Sequence, residues 1–228
     1  MKPERKLAET RTPDGKALAL YAHDGAYSLR LGHDELMHST ATASELALGL
    51  QARGVGEGAM PTILIGGLGL GYTLSEVLRV TPPGARITVA ELLPDVVSWN
   101  RTLLRELNGA ALDDPRVEVI VGDVGQLLAR SAPDSWDVLL LDVDNGPSAM
   151  VGRSNARMYR PQGLAQIAQV LRPGGRVAFW SAGEAPQFER QLRRSGLHVQ
   201  VLAVRRHSTA RSAACRIYVG VKSRPRPH

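Results

Sequence analysis

The chain has a single cysteine, Cys215, in 228 residues, so no internal disulfide can hold it and its stability has to come from a packed core. Aromatic residues are scarce at 4%, with only two phenylalanines, and aliphatic side chains must fill that core. No run reaches the ~18 uncharged apolar residues of a membrane span. The opening MKPERKLAETRTPDGK lacks the apolar centre of a secretory signal. A soluble, cytoplasmic protein with no membrane partner is the expectation. The six histidines stand at no metal-ligand spacing with cysteine or carboxylates, so no metal is expected. A Gly-x-x-x-x-Gly-Lys-Ser loop is missing as well, which counts against nucleoside triphosphate hydrolysis.

What is present is 43% hydrophobic, enough for one domain of ordinary size with a small appendage. The net charge of +6 is unevenly placed. Residues 190–228 hold ten Lys or Arg and no acid, leaving 18 basic against 22 acidic residues before them, a net −4. The basic character belongs to the C-terminal end. Its last part, residues 222–228 (KSRPRPH), has the composition of a flexible tail. No aromatics interleave with the charge, so a nucleic-acid partner is not expected.

Three organisational units follow. Residues 1–39 carry short alternating stretches at 17–21, 27–31 and 35–38, read as a small N-terminal β element. A helix is expected over 40–51. From Pro61 on, apolar runs of strand length (62–65, 87–90, 117–121, 138–141, 176–180) alternate with helical segments (72–80, 95–107, 125–130, 162–171, 185–195). That alternation is the mark of βαβ units with strands covered on both faces. Two last strands, 199–205 and 216–221, are expected to close the sheet edge as a hairpin. Residues 40–221 are thus read as a Rossmann-like α/β domain with a mostly parallel seven-stranded sheet and a C-terminal antiparallel hairpin.

The strongest local signal is ILIGGLGLGYTLSEVL, a strand running into Gly66, Gly67, Gly69 and Gly71 and then a helix. Glycines let a ligand lie against bare backbone, and the helix start offers free N–H groups. Twenty residues beyond Gly71, Glu91 ends the next strand with Leu92 beside it, where a carboxylate can accept both hydroxyls of a ribose. The third strand ends in Gly122-Asp123-Val124, and the fourth in Asp142-Val143-Asp144-Asn145-Gly146. Successive strands deliver polar groups at their carboxyl ends, where open α/β sheets bind ligands.

The stretches ILIGGLGLG, ITVAELLPDVV, LDDPRVEVIVGDVGQLL, WDVLLLDVDNGP and LRPGGRVAF, in this order and at this spacing, resemble the polyamine aminopropyltransferases. These spermidine and spermine synthases share the class I S-adenosylmethionine-dependent methyltransferase fold. The resemblance implies that Gly66, Gly67, Gly69 and Gly71 approach the cofactor backbone-first, that Glu91 holds its ribose, and that Asp123, with Val124 nearby, accepts from its adenine. Asp142 matches the family's catalytic aspartate and Asp144 approximates a second. Tyr159 and Trp180 are candidates for the acceptor site. A homodimer, through the N-terminal strands, is implied too.

Two departures bear on the substrate. Where the family's glycine loop carries an acidic residue that helps hold the amine of the aminopropyl arm, this chain has Gly69. Where the family has a tyrosine and a histidine before the helix glutamate, it has Ala43 and Ser44 before Glu45. The reading is therefore transfer of a methyl or aminopropyl group, from S-adenosylmethionine or its decarboxylated form, to a small amine acceptor. Two other readings stay open. A glycine loop plus an acidic strand end also suits an NAD-dependent oxidoreductase, although no separate substrate domain supplies a proton relay. A non-catalytic cofactor-binding or scaffold protein could use the same fold.

Overall fold

The structure is a computed structural model that describes residues 3–55, 60–143, 157–205 and 215–224. Its first sheet is an antiparallel meander of β1 (Arg5–Arg11), β2 (Ala17–His23), β3 (Ala26–Leu31) and β4 (Asp34–His38). Turns with residues at positive φ, Gly15 and Asp24-Gly25, connect the first three strands. Strand β1 is absent from the sequence expectation, and the reason is its position. As an edge strand with a bulge between Lys6 and Ala8, its sequence RKLAETR is mostly charged and solvated, which hides any alternation.

After α1 (Ala43–Gly49) and a short 3-10 turn, the chain enters the main sheet. Its strands are β5 (Thr62–Gly66), β6 (Arg86–Glu91), β7 (Val117–Val121), β8 (Trp136–Leu141), β9 (Leu171–Ser181), β10 (His198–Val204) and β11 (Cys215–Val221). They lie in the order β10-β11-β9-β8-β5-β6-β7, parallel from β9 to β7 and antiparallel where β11 joins β9 and β10 joins β11. Seven strands, mostly parallel, with a C-terminal hairpin, agree with the sequence reading. The chain winds from β5 outward through β6 to β7, then crosses back to set β8 on the other flank of β5. The crevice between β5 and β8 is the topological switch point, where this architecture binds ligands.

The helices α2 (Tyr72–Val80), α3 (Pro94–Arg101), α4 (Val124–Arg130), α5 (Pro161–Val170) and α6 (Pro186–Arg194) cover the two faces. Proline at the first turn starts α3, α5 and α6, where its missing N–H costs nothing. Helix α3 stops well short of the expected residue 107. Thr102 turns its hydroxyl back onto the Ser98 carbonyl (2.7 Å), and the chain folds over so that Leu104 is fully buried and Asn108 donates to Asn100 Oδ1 (2.8 Å). Strand β9 starts five residues before the expected one, running through Pro173-Gly174-Gly175 with an irregular register opposite Trp136 and Val138.

Two aliphatic cores result, one on each face of the main sheet. The first gathers Ile63, Ile65, Leu74, Val77, Ile87 and Val89 and takes in Leu18, Leu20 and Leu29 from the meander. The second contains Leu139, Leu141, Leu164, Ile167, Phe179 and Leu192. Lys222, read from sequence as the first residue of a flexible tail, is instead tied down. Its backbone extends the ladder to Gly174 and Gly175, and its Nζ donates to Leu171 O (2.6 Å) and Asp134 (2.8 Å). Residues 225–228 lie outside the described residues.

Because Leu20 is fully buried in the same core as Ile63 and Leu74, meander and main sheet should unfold together. Leu20→Ala is expected to cost about 2–5 kcal/mol while keeping a single denaturant transition. Two separated transitions by circular dichroism and tryptophan fluorescence would refute a shared core.

Candidate active site

The site begins at the turn that follows β5. Gly67 (φ +90°) and Gly69 (φ +53°) hold left-handed backbone conformations, which side-chain-bearing residues adopt at a cost. Space imposes the same choice. A Cβ on Gly67 would lie 2.3 Å from the Asp142 carbonyl oxygen, and one on Gly69 would lie 2.5 Å from Met37 Sδ. Both glycines line a cavity of about 1110 Å³ at the carboxyl ends of the parallel strands. Gly66 and Gly71 do not line it, which corrects their expected role. Gly66 is packed under Leu141 and Val124, and Gly71 stands against Asn100 and Asn108. Their small size serves close packing of the strand and of α2.

Glu91, Leu92, Asp123 and Val124 line one end of the cavity. Glu91 is 8% exposed, and its carboxylate accepts from the backbone N–H groups of Leu68 (2.8 Å) and Leu93 (2.9 Å). Burial pushes its pKa up, against the pull of those N–H groups and the ones of Leu92 and Gly69. Glu91 thus staples the glycine loop to the end of β6. Asp123 caps α4, its Oδ1 accepting from Gln126 N (2.9 Å), and its Oδ2 has no partner among the described residues.

The opposite end is formed by Asp142, Glu45, Trp180 and Cys215. Asp142 receives no hydrogen bond to its carboxyl among the described residues. Removal from water, followed by the nearby Glu45 charge, raises its pKa to about 7. Glu45, on α1, is 8% exposed and accepts from Ser44 Oγ (2.6 Å). Cys215, buried and hydrogen-bonded by Trp180, is pushed up to about 11 by burial and by Glu45 and Asp142. That thiol is protonated and a poor nucleophile at neutral pH.

Six carboxyl groups line the cavity, those of Asp14, Glu35, Glu45, Glu91, Asp123 and Asp142, against Arg205 as the one Lys or Arg among the described residues. A chain of net charge +6 has gathered its acids around one hollow. Such a hollow concentrates cations. No group of three or more His, Cys, Asp or Glu among the described residues has a metal-binding arrangement, and no described helix is long and apolar enough to cross a membrane.

The model of the spermine/spermidine synthase domain matches residues 50–207. The chain belongs to this family. The polyamine aminopropyltransferase of Mycobacterium tuberculosis is 34% identical over 123 residues, covering 53% of this chain and 22% of that protein. The polyamine aminopropyltransferase of a Synechococcus strain is 28% identical over 189 residues, covering 80% of this chain and 54% of that protein. The chain thus spans about a fifth and about half of these relatives. The crystal structure of spermidine synthase from Thermotoga maritima superposes with a TM-score of 0.71 at 15% identity, over 97% of this chain and 73% of that one, which is a likeness of fold.

Of the spermidine synthase-like positions expected from sequence, the cavity brings together Gly67, Gly69, Glu91, Leu92, Asp123, Val124, Asp142 and Trp180. Tyr159 does not belong with them. It is 4% exposed on the other side of the sheet, its ring against Phe179 and Phe188 and its hydroxyl donating to Val143 O (2.9 Å). It fixes the segment behind Asp142 and faces no ligand. Asp144 lies outside the described residues. Glu45 was legible as a helix residue but not as a cavity residue.

An aspartate whose folded pKa lies above its unfolded value destabilises the fold once pH exceeds the unfolded value, and the full penalty is reached above the folded one. Asp142→Asn should therefore be more stable than the wild type at pH 8, by roughly 1–4 kcal/mol. The gap should close as pH falls from about 7 towards 4 in parallel urea titrations. A gap that persists at pH 4 would show that the carboxyl is not the cause.

Proposed function

We propose that this chain is a spermidine synthase-like aminopropyltransferase, with decarboxylated S-adenosylmethionine as donor and a small amine as acceptor. The observation that carries the reading is the acid-lined cavity at the switch point, with a carboxyl at Asp142 that no cation among the described residues neutralises. Membership of the family supports it, and the comparisons lend nothing to a nicotinamide-dependent reaction.

The residues present suit an adenosyl ligand. Gly67 and Gly69 leave room that any Cβ would take up. Glu91, held by backbone N–H groups of the glycine loop and of the turn after β6, presents its carboxylate to the cavity, where ribose hydroxyls would meet it. Asp123 Oδ2, unpartnered among the described residues, could accept from an amino group on the base. When bound, the donor supplies an electrophilic carbon next to a sulfonium. The protein's part is to align the amine with that carbon and to stabilise the positive charge growing on nitrogen. Asp142 does this at the acceptor end, and it takes the proton that the nitrogen must lose as the C–N bond forms and the C–S bond breaks. Methylthioadenosine leaves from the opposite end. Residue 69 itself carries no carboxylate, and Met37 stands where a side chain there would go. This favours a second reading, methyl transfer from intact S-adenosylmethionine, whose own carboxylate an acid there would repel.

Methylthioadenosine should raise the melting temperature by mass action, and Asp123→Ala should weaken its binding about tenfold, near 1.4 kcal/mol. With decarboxylated S-adenosylmethionine and 1,4-diaminobutane, mass spectrometry should find an aminopropylated amine, and Asp142→Asn should slow its formation by about 10²–10⁴-fold. Product carrying a methyl group from the intact cofactor would select the second reading. No binding of any adenosyl thioether or sulfonium would end both.

A further inference from the structure

We propose that Asn100, itself pinned by Asn108, is a positioning residue for the donor site: it holds the peptide between Gly69 and Leu70 with the carbonyl turned to α3. The proposal rests on the reading above only for the nature of the ligand that the loop receives.

The peptide it holds is one that could otherwise turn over. Gly71 N–H donates to Leu68 O (2.9 Å), which closes a β-turn with Gly69 and Leu70 at its centre. Gly69 is left-handed (φ +53°) and Leu70 is not. That is the pattern of a type II′ turn, and rotation of the central peptide leads from it towards type I′. The N–H of Gly69 is among those that pull on the Glu91 carboxylate. Its carbonyl oxygen accepts from Asn100 Nδ2 at 2.9 Å, across 31 positions of sequence. In a trans peptide the C=O of one residue and the N–H of the next point in opposite directions. Rotation would swing the Gly69 oxygen away from α3 and replace it there by the Leu70 N–H. Gly69 lines the cavity, so a loop with this peptide in two orientations would offer a ligand two surfaces of opposite polarity.

The direction of the asparagine relay follows from counting protons. Asn100 is 1% exposed. One proton of its Nδ2 goes to Gly69 O and the other to Val96 O, also at 2.9 Å. Its Oδ1 therefore faces the other way, where it accepts from Asn108 Nδ2 (2.8 Å). Residue 71 makes room for the pair by being glycine. A Cβ there would lie 2.9 Å from Asn100 Oδ1 and 3.0 Å from Asn108 Cβ. Asn108 reaches this place through the break in α3, and the arrangement is strained. Ala110, two residues on, is left-handed (φ +56°), and Asn108 Oδ1 is buried with no partner among the described residues. Both features oppose folding. Apolar side chains at 100 and 108 would remove the orphaned atom; what they would lose is the grip on Gly69 O.

The test separates that grip from stability. Asn100→Asp keeps the size of the side chain but puts an acceptor oxygen where the N–H donor stood. Its Kd for methylthioadenosine, by calorimetry, should rise about tenfold. Asn108→Ala breaks the relay one step back and should raise it about threefold. Leu192→Ala, which opens a void in the core on the other face of the sheet, should lose at least as much stability in urea as either and bind as the wild type does. The second readout is 15N relaxation dispersion on the unliganded protein, which reports exchange on the μs–ms scale. The amides of Gly69 and Leu70 should be quiet in the wild type and should exchange in Asn100→Asp, with those of β5 and β8 unchanged. If Asn100→Asp does not fold, Asn108→Ala carries both measurements. Wild-type affinity in the asparagine variants, affinity that falls with stability in all three, or loop amides as quiet in the variant as in the wild type would each overturn the proposal. Should methylthioadenosine bind no form of the protein while Gly69 and Leu70 exchange only in the variant, the adenosyl reading falls and the grip on the loop stands.

Discussion

At the carboxyl ends of β5 and β8 two backbones come so close that one methyl group would part them, since a Cβ at residue 67 would lie 2.3 Å from the Asp142 carbonyl oxygen. The rest of the site is built on that contact. Asp142 N–H donates to Gly66 O, Gly67 N–H to Ala90 O, and Gly122 N–H to Glu91 O, at 2.9, 2.9 and 2.8 Å. This line of bonds joins the ends of β8, β5, β6 and β7 and brings Asp142, Gly67, Glu91 and Asp123 to one rim. Strands about 4.8 Å apart put Asp142 roughly 14 Å from Asp123 across the sheet, a span suited to a nucleoside with a short chain attached. Strand register, more than any single side chain, sets the length of ligand the site can take.

Charge then gives the rim its chemistry. A carboxylate at a strand end is ordinarily solvated, but here the meander, α1 and the C-terminal hairpin roof the rim, leaving Glu91 buried and Asp123 and Asp142 half-buried. Glu91 meets the cost by accepting backbone N–H groups, and Asp123 by capping α4. Asp142 has neither remedy among the described residues. Its unmet demand is the physical ground for reading it as a functional group and not a structural one. The same contrast appears at Asp137, equally acidic and carried at the start of β8, which is satisfied by Arg172 and by Thr62 N–H.

Much of this was legible in the sequence because the parallel sheet writes itself as apolar runs ending in small or acidic residues. Gly67, Gly69, Glu91, Asp123 and Asp142 could each be placed by counting from a strand end. What escaped was decided by tertiary contact. Nothing local distinguishes Gly66, small so that Val124 and Leu141 can pack, from Gly67, small so that a ligand and a neighbouring strand can approach. Tyr159 follows a polar stretch and reads as a loop residue, yet two aromatic neighbours and a bond to Val143 claim it for the core. Glu45 sits on a helix of seven residues, too short for periodicity to tell its inward face from its outward one.

The role of the meander was less legible than its strands: on the proposed reading it is the part that would face the transferred group. Leu18, Leu29, Leu31 and Met37, all from the meander, wall the cavity opposite the strand ends, and Met37 fills the space a side chain at residue 69 would occupy. An acid could not simply be restored at position 69: the thioether would have to move first, and β4 carries it. Residues 37 and 69 are therefore coupled by volume although 32 positions separate them. A flexible thioether can reshape the wall in a way that a branched side chain on the same strand could not. The shape of the cavity beside the glycine loop consequently belongs to a contact between the two sheets, and a reading of the loop alone, however complete, describes half of it.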